Sequence, residues 1–330
     1  MYVLSLFDGI SCGQVALKRA GIKYKKYYAS EIDKYAIGIT QYNFPETIQL
    51  GNICNWYAWN IKWDKIDLLF GGFPCQGFSV AGKRLNFQDE RSKLFFILAD
   101  ILNFLRQKNP RIKFLFENVP MKKEWQEVIN KYVGVKPVMI NSALLSAQHR
   151  QRLYWCNWYI PQPIPKDIKL KDILIDSSLC DREKSLCLTA NYYKKVFREY
   201  ISKRQGQVVY KPVQCGYLGR NFQNRQIYNI NGKSTTITAL RKGIGKQTGL
   251  YLMEDYIRKL YPIECERLQT LPDNYTRYGI IDNKKEEISK TQRYKCLGNG
   301  WTVDVIVHIL KHINNNLNSD KIYREHLDLF

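Results

Sequence analysis

YVLSLFDGISCGQVALKRAG, residues Tyr2 to Gly21, carries three structural signals in a row. Tyr2 to Phe7 is mostly apolar and rich in strand formers, Asp8 to Gly13 holds two glycines, and Gln14 to Ala20 has helical composition before Gly21. The stretch therefore predicts a strand, a tight turn and a helix closed by glycine. Working outward, Lys25 to Ala29 predicts a second strand, Glu31 and Asp33 follow it, and a helix then runs to Phe44. Pro45 stops that helix, since its ring fits no helix interior. An acid at the end of the second strand is what a doubly wound α/β sheet uses to accept hydrogen bonds from a ribose diol. Glu31 is the candidate. Taken singly, Asp8, Gly9 and Gly13 also fit an ordinary turn, and Glu31 an acid favoured by a helix macrodipole.

The apolar run Ile66 to Phe70 predicts a short buried strand, and GGFPCQGFS, Gly71 to Ser79, follows it. Cys75 lies there between Pro74 and Gln76. The glycine-punctuated polar residues up to Arg91 predict a mobile loop, so Cys75 is expected at a strand's carboxyl end, where open α/β sheets collect reacting groups. The plainer alternative is a small buried cysteine. Leu94 to Leu105 predicts a helix, Ile112 to Glu117 a strand ending in Glu117, Asn118 and Val119, and Met121 to Tyr132 another helix. Val135 to Leu145 and Gln148 to Trp158 read as strands, the second carrying Arg150 and Arg152. Their i, i+2 spacing places both arginines on one strand face, an arrangement that surface ion pairs also use.

The chain has 330 residues, enough for one large domain or two unequal lobes, and the second is expected. None of its nine cysteines falls in a CxxC, which favours a thiol-reduced protein and gives no zinc-like spacing, so no structural metal is expected. A strand beginning at Tyr2 leaves no room for a signal peptide, and Leu94 to Leu105, interrupted by Asp100 and Asn103, is too short to span a bilayer. A soluble protein is expected. Lys and Arg outnumber Asp and Glu by 51 to 30, a net charge of +21. Between Asn191 and Leu250 stand twelve basic residues and one acid, Glu199, with six tyrosines interleaved. A surface so cleared of carboxylates suits a polyanion, and nucleic acid is the expected partner. PQPIPKD after Ile160 reads as a hinge into a small irregular lobe extending to about Met253. Pro262 to Leu271 predicts a helix, Leu297 to Asn299 a glycine turn, and Val303, Ile306, Val307, Leu310 and Ile313 one apolar helix face that should return to the larger lobe. His308 and His312 read as surface residues.

The order of these motifs resembles the DNA (cytosine-5) methyltransferase family over nearly the whole chain apart from the middle lobe. FDGISCG is similar to the family's cofactor turn, SEID to its ribose-binding acid, GFPCQGFS to its nucleophile loop, ENV to its base-binding acid and QHRQR to its paired arginines; RLQTLP and LGNG complete the series in order. The resemblance implies an α/β fold of S-adenosylmethionine-dependent methyltransferase type, a mixed seven-stranded sheet with helices on both faces, beside a small irregular target-recognition domain. It divides the chain into a catalytic domain (1–160), a target-recognition domain (161–258) and a C-terminal segment returning to the first (259–330). It implies methyl transfer from S-adenosylmethionine to carbon 5 of a flipped-out cytosine in a short duplex DNA sequence.

The implied roles follow residue by residue. Cys75 would be the nucleophile on carbon 6, Glu117 would bind the exocyclic amine and ring nitrogen 3, and Arg152 the base's carbonyl oxygen, with Arg150 and Gln148 bracing the site. Phe7 would stack on adenine, Gly9 approach the methionine end, Glu31 hold the ribose and Asn299 the methionine moiety. Asp8, Ser11, Gly13, Ile32, Ile53 and Pro74 would complete the cofactor site. Asn52 stands where the family commonly has an aspartate, and its amide oxygen can still accept from the adenine amine. Gln76, Ser79, Lys83 and Arg84 on the loop, together with Gln148, would meet DNA. Ser11 and Cys12 replace two glycines usual in bacterial members, Ala147 replaces a common proline, and the FDGI start is closer to the animal de novo enzymes. A monomeric cytoplasmic, nucleoid-associated enzyme of a bacterium or phage-infected cell is implied. The alternatives are a transfer-RNA cytosine-5 methyltransferase of the same fold and a catalytically silent DNA-binding homologue.

Overall fold

The computed structural model describes residues 1–74, 90–175, 214–217, 226–228, 250–253, 256–258 and 260–315. Its centre is a seven-stranded sheet built from β1 (Tyr2–Leu6), β2 (Lys26–Ser30), β3 (Ile48–Gln49), β4 (Ile66–Gly71), β5 (Lys113–Asn118), β6 (Val138–Asn141) and β7 (Gln151–Cys156). The spatial order is β3-β2-β1-β4-β5-β7-β6. All pairings are parallel except those of β7, which runs antiparallel to β5 and β6. The chain builds outward from β1 to β3 and then returns to place β4 on β1's other side. The order therefore reverses between β1 and β4, and a crevice opens at their carboxyl ends.

Alternation within the strands sorts side chains onto two faces. Leu4, Leu6, Ile66, Leu69, Phe114, Phe116, Leu153 and Trp155 face one core, covered by α3 (Glu90–Lys108) and α4 (Lys123–Val133). Val3, Leu68, Phe70, Leu115, Tyr154 and Cys156 face the other. That second core is covered by α1 (Cys12–Arg19), α2 (Lys34–Asn43) and three helices from late in the chain, α5 (Pro262–Leu268), α6 (Lys290–Asn299) and α7 (Val303–Lys311). Val303, Val305, Ile306, Ile309 and Leu310 of α7 are fully buried there against the same core as Val3 and Ile10. Ile160, Leu170, Ile173 and Leu174 join it as well. In the middle of the chain, β8 (Gln214–Tyr217), β9 (Gln226–Tyr228), β10 (Leu250–Met253) and β11 (Tyr256–Arg258) form a separate sheet in the order β11-β10-β9-β8.

Local chemistry explains several boundaries. Asp33 caps α2 by accepting from the amides of Tyr35 and Ala36, and Gly134 closes α4 with φ +80°. Three expectations need correction. The strand expected over Val135 to Leu145 is confined to Val138–Asn141, because the Asn141 side chain accepts from Ala143 N at 3.0 Å and folds Ser142–Leu144 into a 3-10 turn. Leu297 to Asn299 is the last turn of α6 and not a free glycine turn, since buried Gly298 sits inside the helix. Arg150 precedes β7, so it and Arg152 do not share one strand; both are buried, at 3% and 5% exposure, and neither is a surface ion-pair residue. A hairpin of β12 (Tyr278–Ile281) and β13 (Lys284–Glu287), absent from the sequence-based expectation, packs on α2.

Candidate active site

The turn after β1 is held in an uncommon backbone shape. Phe7, Gly9 and Ser11 all have positive φ, at 58°, 60° and 58°. For the two non-glycine residues this is a strained region that the surroundings must impose. Part of that support comes from Glu31, just beyond β2: its Oε2 accepts from Gly9 N at 2.9 Å, and its Oε1 accepts from the amides of Ile32 and Asp33 at 2.7 and 2.9 Å. An ionised carboxylate has further acceptor capacity beyond these three amides, so a diol can still be received. Ile32 beside it is 74% exposed, an apolar surface with no protein cover.

The remaining turn side chains face inward. Asp8 Oδ1 accepts from Tyr27 Oη at 2.8 Å while its buried Oδ2 has no hydrogen-bond partner, and burial pushes the carboxyl up to about 6. Ser11 Oγ is fully buried and accepts from Gln14 Nε2 at 2.8 Å. A Cβ on Gly13 would stand 2.9 Å from both Phe70 and the Tyr27 hydroxyl, so glycine there allows α1 to lie close on the sheet. Ser30 Oγ donates to Gly51 O at 2.7 Å and so ties the end of β2 to the next segment, where exposed Asn52 accepts from Cys54 N and Ile53 is buried. Exposed Asn299 ends α6, and the following Gly300 lies against Cys12, the first residue of α1 after the turn. Glu31, Ile32, Phe7, Asn52 and Asn299 therefore offer an acid, apolar surfaces and amide side chains around one turn. That donor and acceptor set fits a nucleoside joined to an amino-acid chain, as S-adenosylmethionine is.

The second cluster lies at the adjoining strand ends. Antiparallel β7 begins beside the carboxyl end of β5, with Glu117 opposite Tyr154, so Arg152 stands two residues along on the same face. Arg152 Nε donates to Glu117 Oε1 at 2.8 Å, and Trp301 Nε1 donates to Glu117 Oε2 at 3.2 Å. Asn118, which sequence reasoning passed over, donates through Nδ2 to Phe73 O at 3.2 Å and accepts from Val119 N at 2.8 Å. It thereby pins the exit of β4 two residues before Cys75. Its position inside ENV was the available signal. Cys75, Gln76, Ser79, Lys83 and Arg84 lie outside the described residues, while Pro74, partly exposed, ends the described exit. Among the described cysteines, burial pushes Cys12 and Cys156 up to about 12 and Cys296 higher still, which makes them poor thiolates.

Arg150 and Gln148 serve as braces. Arg150 Nη2 donates to Gly300 O at 3.0 Å and Gly298 O at 3.4 Å, holding the end of α6. Gln148 is fully buried, with Nε2 on Leu268 O and Gln269 Oε1, so the expectation of a DNA contact there is corrected: it presents no surface to a duplex. His308 is half-buried rather than a plain surface residue, its Nε2 meeting Pro161 O at 2.8 Å. Among the described residues, no three His, Cys, Asp or Glu are grouped to hold a metal ion, and no helix is long and apolar enough to cross a membrane.

Residues 1–315 match the family described as C-5 cytosine-specific DNA methylase. The chain belongs to that family. The methylase is 30% identical over 340 residues to the type II methyltransferase M.HhaI of Haemophilus parahaemolyticus, covering 96% of this chain and 94% of that one. It is 27% identical over 343 residues to the type II methyltransferase M.Bsp6I of a Bacillus strain, covering 96% and 99%. Its fold matches the solved structure of the Entamoeba histolytica methyltransferase EhMeth with a TM-score of 0.63 at 17% identity, over 95% of this chain and 97% of that one. The methylase thus places its ENV acid, its second QHRQR arginine and the exit toward its PCQ cysteine at neighbouring strand ends.

Proposed function

We propose that this methylase transfers a methyl group from S-adenosylmethionine to carbon 5 of a cytosine flipped out of duplex DNA, within a short recognition sequence. The observation that carries the reading is the buried Glu117–Arg152 pair at the carboxyl edge, next to the strand exit that runs into Cys75. Cytosine presents an amine, an acceptor nitrogen and a carbonyl oxygen in a row. A carboxylate beside a guanidinium matches that row, the first taking the amine and the second the carbonyl. Uracil and thymine carry an oxygen where cytosine has its amine, and that oxygen would face the carboxylate.

Carbon 5 of cytosine is a weak nucleophile. Addition of the Cys75 thiolate to carbon 6 would turn the ring into an enamine nucleophilic at carbon 5. During that addition Arg152 would stabilise the negative charge that gathers on the carbonyl oxygen, and Glu117 would accept from the amine while presenting a proton to nitrogen 3. The cofactor supplies an electrophilic methyl group on a sulfonium. Loss of the carbon 5 proton and expulsion of the Cys75 sulfur then restore the aromatic ring. Glu31, Phe7, Ile32, Asn52 and Asn299 would hold the cofactor, and Asp8, Ser11 and Gly13 would shape its turn from behind. Residues 161–258 would read the target, with Gln76, Ser79, Lys83 and Arg84 meeting the DNA backbone. A restriction-modification role is part of the same reading, because the relatives M.HhaI and M.Bsp6I are named as type II methyltransferases.

The test is incubation with labelled S-adenosylmethionine and mixed genomic DNA, followed by sequencing of methylated cytosines, alongside a transfer-RNA substrate. Methylation confined to one short DNA motif supports the reading; label entering only transfer RNA overturns the choice of substrate. Cys75→Ala should abolish transfer while leaving DNA binding in place, and unchanged transfer would remove Cys75 from the mechanism.

A further inference from the structure

The base-binding acid is held from two directions, and only one of the two holders belongs to the motifs already discussed. We propose that Trp301 is a positioning residue for methyl transfer: its indole N–H fixes the Glu117 carboxylate over the exit of β4, setting the acid in register with the segment that carries the nucleophile. The inference rests on the reading of Glu117 as the group that binds cytosine.

Three contacts define the indole's place. Nε1 donates to Glu117 Oε2 at 3.2 Å, while Arg152 Nε meets Oε1. A Cβ added at Gly72 would stand 3.0 Å from that same Nε1 and 3.5 Å from Cε2 and Cζ2, so the ring lies directly over the backbone of the β4 exit. Phe70, the last apolar side chain of β4 on this face, meets the ring edge-on, with centroids 5.8 Å apart at 88°. The backbone around the indole is anchored as well. Gly300 O receives Arg150 Nη2 at 3.0 Å, and a backbone hydrogen bond from Trp301 reaches the sulfur of Cys12, the first residue of α1 after the turn. Trp301 is therefore the point at which the end of α6, the cofactor turn, the nucleophile strand and the base-binding acid meet.

The geometry gives the indole a specific task. Arg152 holds one oxygen of Glu117 through Nε, while its Nη1 donates to Gln151 O at 2.7 Å. Without a second donor, the carboxylate could swing to share both oxygens with the guanidinium, which favours two-pronged pairing. That rotation would cover the edge that cytosine's amine needs. The indole N–H keeps Oε2 turned toward the β4 exit, and a carboxylate held in advance loses less freedom when the base arrives. Phenylalanine could fill the same volume over Gly72 but could not donate.

Trp301→Phe is the direct test, since it keeps the ring and removes the N–H. Loss of one hydrogen bond to a charged group predicts a fall of roughly ten- to a hundredfold in the single-turnover methylation rate. Affinity for S-adenosylmethionine by calorimetry and the thermal midpoint should stay at parent values. In a Glu117→Ala background, which leaves the indole no acceptor there, the same change should have no further effect on the residual rate, because the two residues act through one contact. Gly72→Ala, which crowds the indole, should reproduce the rate loss. A parent-like rate for Trp301→Phe, an independent multiplicative effect in the Glu117→Ala background, or a loss of cofactor affinity equal to the loss of rate would each overturn the proposal. If Glu117→Gln alone methylates normally, the assignment of Glu117 fails; if Glu117→Gln is crippled and Trp301→Phe is not, only the role of Trp301 fails.

Discussion

Asp8 stands out among individual residues because its buried carboxyl has one oxygen on Tyr27 and one on nothing. Desolvation raises it from 3.8 to about 6, opposed by the hydroxyls of Ser5, Ser11 and Tyr27 and aided by the nearby charge of Glu31. A carboxyl raised on folding binds its proton more tightly in the folded chain. Its stabilising contribution is complete below pH 3.8 and is lost as pH rises through about 6. The whole displacement corresponds to roughly 3 kcal/mol. Asp8→Asn keeps an acceptor for Tyr27 and removes the titration. Urea unfolding should show the variant gaining on the parent between pH 4 and pH 7, and parallel curves for the two would show that Asp8 does not titrate in this range. Gly9 and Glu31 were legible at this scale because their contact is local to two short motifs; Cys75 lies outside the described residues. Trp301 and Asn118 were not, because each acts through a partner distant in sequence or across strands, Glu117 for one and Phe73 O for the other.

Among the elements, the hairpin of β12 and β13 shows both what a pattern conceals and what it offers. Lys284–Glu287 is wholly exposed and has no apolar alternation, so nothing in its composition predicts a strand. Its turn was nonetheless written in the Asp282–Asn283 pair, both with positive φ at 48° and 62°, a shape that suits a two-residue hairpin loop. β1, α1, β4 and β5 were legible because burial imposes apolar runs or periodicity on them. The end of α6 was not, because two glycines beside Asn299 look like a turn until Arg150 is seen binding their carbonyls. The hairpin meets α2 at bare backbone: a Cβ on Gly38 would lie 2.5 Å from Ile281 Cδ1 and 2.8 Å from the Ile280 carbonyl oxygen. Since the carbonyl cannot rotate away as a side-chain tip can, Gly38→Ala should destabilise the protein by about 1–3 kcal/mol. Thermal unfolding would report this as a midpoint several degrees lower, and an unchanged midpoint would mean that the hairpin lifts off α2 freely.

For the molecule as a whole, charge is the dominant property. A net +21, with the acid-poor stretch between Asn191 and Leu250, predicts binding to DNA through many phosphates. Counter-ion release then makes affinity fall steeply with salt, by about a thousandfold or more between 50 and 200 mM for six or more phosphate contacts. Fluorescence anisotropy on a labelled duplex across that range would measure the slope, and a flat response would exclude a phosphate-led interface. The sheet order also has a consequence in time. Val3, Ile10 and Phe70 are covered by Val303, Ile306 and Leu310, from the opposite end of the described chain. During synthesis at about 5–20 residues per second, the first strands emerge well before the helices that will roof them. Ribosomal stalling short of Trp301 would leave a polypeptide whose inner face lacks its roof and whose Glu117 carboxylate is held by Arg152 alone.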